Sequence, residues 1–241
     1  MERLTGQVAL VTGGAGGLGR EICRVLGRDG AQVICADIHE ERAREVAEEL
    51  RREDCRVAAL GVDISRAEEA AGAIAKVVRE RDRLDILINN AAVDVTLPAD
   101  ELAVEDWNRI IDTNLNAAYW LARAAFPIMK RQQGGQIVNL ASTASKRTWA
   151  NASAYHASKW GLLGLSHALH AEGRPHGIKV TAVVSGGMRT PFLLDRFPDI
   201  DTSKLQDARH VADTIYFVLT RPRETVIPEI MVIPMTETSW P

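Results

Sequence analysis

The stretch VALVTGGAGGLGR, residues 8–20, runs from an apolar, β-branched segment into five glycines within seven positions. Valine and threonine suit a pleated, buried surface, so residues 8–12 read as a strand. Glycine tolerates positive φ and carries no Cβ to hold a ligand off the backbone. A helix starting near Leu18 would aim its unpaired N–H groups into that loop, an arrangement suited to a phosphate or pyrophosphate. A merely glycine-rich turn would lose chain entropy at five positions without return. Strand, glycine loop and helix in this order predict the first unit of a nucleotide-binding α/β sheet.

The same rhythm continues along the chain. After QVALVT (7–12), short apolar runs recur as QVICAD (32–37), CRVAALGVD (55–63), DILINN (85–90), GQIVNLAS (135–142), KVTAVV (179–184) and VIPEIMVIP (226–234). Between them lie amphipathic stretches such as EERAREVAEELRRE (40–53) and AEEAAGAIAKVVRER (67–81). Apolar strands separated by helices read as βαβ units and a parallel sheet buried on both faces. Right-handed crossovers make it a doubly wound, Rossmann-type sheet of about seven strands. With no linker, repeat or low-complexity segment, residues 1–241 form a single domain, its nucleotide half about 1–135 and its catalytic half about 136–241. The longest helical pattern runs from about Val104 to Gln132, where Pro127 is expected to kink or end it.

Bulk properties exclude several classes. A net charge of −3 without a long basic run disfavours nucleic acid. Cys23, Cys35 and Cys55 lie far apart, an odd set suited to reduced thiols packed in a core. No His, Cys or carboxylate spacing suggests a metal. The opening MERLTGQVALVTGG lacks a signal-peptide pattern, and no apolar run reaches ~18 residues, so a cytoplasmic protein is expected.

Asp37 ends the second strand, about 20 residues beyond the glycine loop, where a carboxylate can accept from ribose hydroxyls and repel a 2′-phosphate. That favours NAD over NADP, although an adenosine-bearing methyl donor could use similar parts. In SAYHASKWG (153–161), Tyr155 and Lys159 are four apart and share one helix face. Alone that pair is weak, because Tyr-x-x-x-Lys is common.

Together, Thr12-Gly13-x-x-x-Gly17-x-Gly19 and Tyr155-x-x-x-Lys159 resemble the short-chain dehydrogenase/reductase family over nearly the whole chain. Asn89-Asn90-Ala91 resembles that family's Asn-Asn-Ala-Gly, with Ala92 in place of the glycine. Ser185-Gly186 replaces the family's Pro-Gly before Thr190. The resemblance implies a catalytic set of Asn114, Ser142, Tyr155 and Lys159. It implies cofactor contacts from Gly13, Gly16, Gly17, Leu18, Gly19, Asp37, Ile38, Asp63, Ile64, Asn90, Ala91, Tyr155, Lys159, Gly186 and Thr190. In this reading Tyr155 gives a proton to a carbonyl oxygen as hydride reaches its carbon, and takes one back in the oxidation. Cationic Lys159 lowers the tyrosine pKa and holds the ribose, Ser142 bonds the substrate oxygen, and Asn114 holds a water leading from the lysine to solvent.

The expected activity is hydride transfer between NAD(H) and a secondary alcohol or ketone. The alternatives are an NADP(H)-dependent carbonyl or 3-oxoacyl reductase of the same family, and a non-catalytic dinucleotide sensor. Phe192, Leu193, Leu194 and Phe197 are expected to form a short apolar lid for a small neutral substrate. Lys146 and Arg147 sit near the pocket rim, and the scattered histidines, including His156, read as packing or surface residues. The apolar helix from Trp107 to Met129 resembles the family's subunit interface, which implies a homo-oligomer, expected to be a tetramer.

Overall fold

Val8–Thr12 forms β1, an interior strand of a seven-stranded sheet, and its side chains alternate between two cores. The computed structural model describes residues 3–237 and Trp240. Ala9 and Val11 join a core with α1 (Gly17–Arg28), α2 (Glu40–Arg52) and α8 (Ala208–Leu219). Val8 and Leu10 face the opposite way, toward α3 (Ala67–Arg81), α5 (Ala117–Arg131) and α6 (Ser153–Gly173). A strand covered on both faces must be apolar at every position, which is why VALVT shows no polar alternation.

The remaining strands are β2 (Gln32–Asp37), β3 (Arg56–Gly61), β4 (Ile86–Asn89), β5 (Gly135–Ser142), β6 (Ile178–Ser185) and β7 (Glu229–Val232). All pairings are parallel, in the order β3-β2-β1-β4-β5-β6-β7. The strand order reverses between β1 and β4, so a crevice opens at their carboxyl ends. The fold is therefore the expected single-domain, doubly wound sheet.

Several bounds differ from the sequence reading. β7 is shorter than VIPEIMVIP, because Pro228 and Pro234 flank it and proline cannot extend a ladder. The pattern from Val104 to Gln132 contains α4 (Val104–Ile111), a π-helical turn (Asp112–Asn116) and α5. Pro127 does not end α5, which continues to Arg131 with Phe126 and Met129 buried on either side of it. All three cysteines are buried and unbridged. Among the described residues, no helix is long and apolar enough to cross a membrane.

Candidate active site

The carboxyl end of β1 opens into a cleft lined by Gly13, Gly16, Gly17, Leu18, Asp37, Asn90, Ala91, Tyr155, Lys159 and Thr190. Gly13 has φ +61°, and a Cβ there would lie 2.8 Å from the Ala91 Cα. Gly17 lets Thr190 approach, since its Cβ would meet the Thr190 side chain at 2.9 Å. At Gly16 a Cβ would enter open space on the cleft, and no side chain caps α1 behind it. The first N–H groups of that helix are thus left for a ligand. Asp37 accepts from the backbone N–H of Ala15 (3.2 Å) and of His39 (3.0 Å), which fixes the carboxylate beside the glycine loop. A phosphate-accepting loop with an acid one strand away fits a dinucleotide.

The loop is pinned from β4. Asn90 donates to the carbonyls of Thr12 (2.9 Å) and Gly13 (3.1 Å), and the Thr12 hydroxyl accepts from the N–H of Asn90 and Ala91. A buried polar chain then ties the sheet to the helix carrying Tyr155. Asn89 donates to Asn139 (2.7 Å), Asn139 to Ser166 (2.9 Å), and Ser166 to the Leu162 carbonyl (2.6 Å). Buried polar groups linked one to the next fix the register between strand and helix.

On α6, Tyr155 and Lys159 face the cleft, with Nζ 5.6 Å from the phenol ring centre. Ser142, at the end of β5 and paired in register with Ser185, lines the same cavity as the phenol. Burial pushes the Tyr155 pKa up to about 12; the Ser142 hydroxyl opposes this, and the Asp94 carboxylate adds to it. Burial pulls Lys159 down to about 8, partly countered by Asp94. Lys159 donates to the Leu140 carbonyl at 2.7 Å. Burial thus disfavours the charged form of both groups, and the lowering of the tyrosine pKa expected from Lys159 needs the positive charge of an oxidised nicotinamide beside it.

Asn114 fixes the segment that follows β4. On the π-helical turn, its side chain accepts from the Val93 N–H and donates to the Val93 carbonyl, both at 2.8 Å, and donates to Ser158 (3.1 Å). The amide is occupied in clamping the chain after β4 rather than contacting Lys159. Gly19 packs against the Gly13 carbonyl, too close for any Cβ. Ile38 is 62% exposed beside the cleft. Ile64 is buried in the core, and Asp63 accepts from Ser65 at the start of α3, so neither lines the cleft. Gly186 lies on the neighbouring cavity instead.

That second cavity, of about 450 Å³, is lined by Ser142, Trp149, Tyr155, Met188, Phe192, Leu193, Arg196, Phe197 and Ile200, with Asp94 and Glu237. Phe192 and Leu193 come from α7 (Pro191–Leu194), as the lid reading requires, whereas Leu194 does not reach the cavity. Tyr155, Ser185, Met188, Thr190 and Phe192 line both spaces. Trp149 is held by His156, whose Nε2 accepts from the Trp149 N–H (3.1 Å). Nδ1 must then carry the proton and donate to the Ala144 carbonyl (2.9 Å), so His156 is a packing residue. Lys146 pairs with Glu229 at 2.7 Å. Sequence reasoning missed Met188, Asp94 and Glu237. Met188 follows a strand end and could have been suspected from that position. Glu237 reaches the site from the tail, accepting from the Gly187 N–H (3.0 Å), a contact without a local signal.

Comparison with known proteins agrees with this architecture. The chain is 35% identical over 213 residues to the uncharacterised oxidoreductase YxjF of Bacillus subtilis, covering 88% of this chain and 83% of that one. It is 34% identical over 192 residues to a cyclopentanol dehydrogenase of Comamonas testosteroni, covering 80% and 77%. A crystal structure of a metagenomic short-chain oxidoreductase in complex with NADP superposes with TM-score 0.86 at 32% identity, over 97% of this chain and 99% of that one. The family model described as short chain dehydrogenase matches residues 7–201. A glycine-loop cleft meeting an apolar cavity at a tyrosine–lysine helix, on a chain matched over that length, makes this protein a member of the short-chain dehydrogenase family.

Proposed function

We propose that the protein is an NAD(H)-dependent oxidoreductase of small, neutral secondary alcohols and ketones, with Tyr155 as acid and base. The observation that carries this reading is the junction of the two cavities at Tyr155, with Ser142 on the cavity wall beside it. A bound nicotinamide supplies or takes the hydride. Tyr155 donates the proton to the carbonyl oxygen in reduction and accepts it in oxidation, while Ser142 holds that oxygen where charge develops. Lys159, cationic at neutral pH, would support the phenolate together with the positive charge of oxidised nicotinamide, and from the cleft wall it would hold the ribose. Asn114 acts at one remove by fixing the segment after β4. The apolar cavity wall suits a hydrocarbon substrate, and the resemblance to a cyclopentanol dehydrogenase supports a cyclic secondary alcohol. Its cations are engaged: Arg196 with Asp94 and Lys204 with Asp201. That argues against a carboxylate substrate.

NAD is favoured by Asp37 on the cleft wall, with Arg20 paired to Glu49 and Arg44 to Glu40 and Glu41 rather than to a phosphate. A 2′-phosphate beside that carboxylate would meet like-charge repulsion. We expect kcat/KM for NAD to exceed that for NADP by about tenfold or more, and Asp37→Ser with Ile38→Arg to reverse the order. A wild-type preference for NADP would establish the second reading, which the NADP complex of the structural neighbour favours.

Trp107 and Tyr119, 39% and 47% exposed on α4 and α5, support a homotetramer built on that face. A monomer mass in sedimentation would dismiss it. The buried, unbridged cysteines suit a reducing, cytoplasmic location.

A further inference from the structure

Asp94 breaks the apolar character of the cavity next to Tyr155. Only 6% of its side chain is exposed, and Oδ2 pairs with Arg196. Arg196 is itself fixed: its guanidinium lies 4.2 Å from the Phe192 ring centre and 5.5 Å from that of Phe197, and Nε donates to the Phe192 carbonyl at 2.9 Å. From the other side, Asn114 clamps both backbone groups of Val93, the preceding residue. The carboxylate is therefore oriented by two elements. Its second oxygen, Oδ1, is buried and has no hydrogen-bond partner. A buried carboxylate oxygen without a donor is costly, and proteins retain such a group where a ligand completes it. Asp94 lines the same cavity as Tyr155 and Ser142, so a ligand held at the phenol lies in the space that Asp94 borders.

We propose that Asp94 is a specificity-determining residue that accepts a hydrogen bond from a second hydroxyl of the substrate, making the preferred substrate a diol or hydroxyketone rather than a simple alcohol. The inference rests on the reading of Tyr155 as acid and base, since it places the second hydroxyl near the carbon being oxidised. Arg196 already balances the charge of Asp94, so a neutral hydroxyl suffices as the donor. An oriented, desolvated acceptor discriminates strongly against an analogue that cannot donate, because the acceptor is then left unpaired.

The test compares three alcohols of one ring size: cyclohexanol, vicinal cyclohexanediol, and the diol's mono-methyl ether, which keeps the second oxygen but cannot donate from it. With wild-type protein and NAD, kcat/KM for the diol should exceed that for each of the others by about tenfold or more. In Asp94→Asn the amide oxygen can take over the bond to Arg196, leaving an NH2 where the acceptor was, and the diol's advantage should fall to near one. Fluorescence of bound NADH reports whether the variant is folded, and the methyl ether gives the same answer without any substitution. A smaller wild-type advantage, or one that survives in Asp94→Asn, overturns the proposal. If none of the three is oxidised, diol binding to the protein–NADH complex is compared with cyclohexanol binding by the same criterion. Tighter diol binding that depends on Asp94 would then uphold this inference while the acid–base reading fails, and equal binding would overturn both.

Discussion

Tyr155→Phe is expected to lower kcat by about 10²-fold or more, with cofactor binding near the wild-type level. The phenol is the proton donor at the junction of the two cavities, and phenylalanine keeps the ring while removing the hydroxyl. Ser142 remains but is a poor acid, and it already accepts from the Ala144 N–H at 3.1 Å. The glycine loop, Asp37 and Asn90 are untouched, so NADH should still bind and fluoresce. Steady-state rates with a cyclic ketone and NADH check the expectation, and near-normal turnover in the variant would remove Tyr155 from the chemistry.

Lys159→Met should separate stability from activity. Turnover and cofactor affinity should both fall, kcat by on the order of 10²-fold, because the cation supports the phenolate and faces the ribose. The ligand-free protein should nevertheless become more stable at pH 7. Burial holds the Lys159 pKa at about 8, below the ordinary lysine value of 10.5, so folding disfavours its charged form. At pH 7 both the folded and unfolded lysine are charged, and the full desolvation cost is present. Between pH 8 and 10.5 the unfolded chain holds the proton that the folded one has released, so the wild type gains stability as pH rises through that window. Methionine removes the charge at the loss of one bond to the Leu140 carbonyl, leaving a net gain on the order of 1–2 kcal/mol at pH 7. Thermal unfolding of both proteins at pH 7 and pH 10 checks this. The gain should shrink at the higher pH, and a variant less stable than wild type at pH 7 would contradict it.

The sheet was legible because its strands are buried on both faces, and continuous runs such as VALVT and ILIN have no other stable environment at that length. The start of α1 was legible too: the glycine loop puts it near Leu18, and the helix begins at Gly17. The π-helical turn at Asp112–Asn116 was not, since its cause is tertiary: Asn114 must reach Val93 across the site. The tyrosine–lysine helix and the glycine loop could be read because their residues are close in sequence. The cavity next to them could not, since Asp94 meets Arg196 from 102 residues away and Glu237 meets Gly187 from 50. The upward push of burial on Tyr155 was not legible for the same reason. Charge proximity can be read from a helix period, whereas desolvation depends on everything packed around it.

The most direct test of the central claim follows a labelled hydride. Wild-type protein is incubated with NAD and cyclohexanol or vicinal cyclohexanediol deuterated at the carbinol carbon, and the reduced nicotinamide is examined by mass spectrometry. Direct transfer from alcohol carbon to nicotinamide predicts that the deuterium appears in the reduced cofactor, one atom per ketone formed. Cofactor that binds but gains no deuterium from either alcohol, or ketone formed with the label lost to water, would contradict the account.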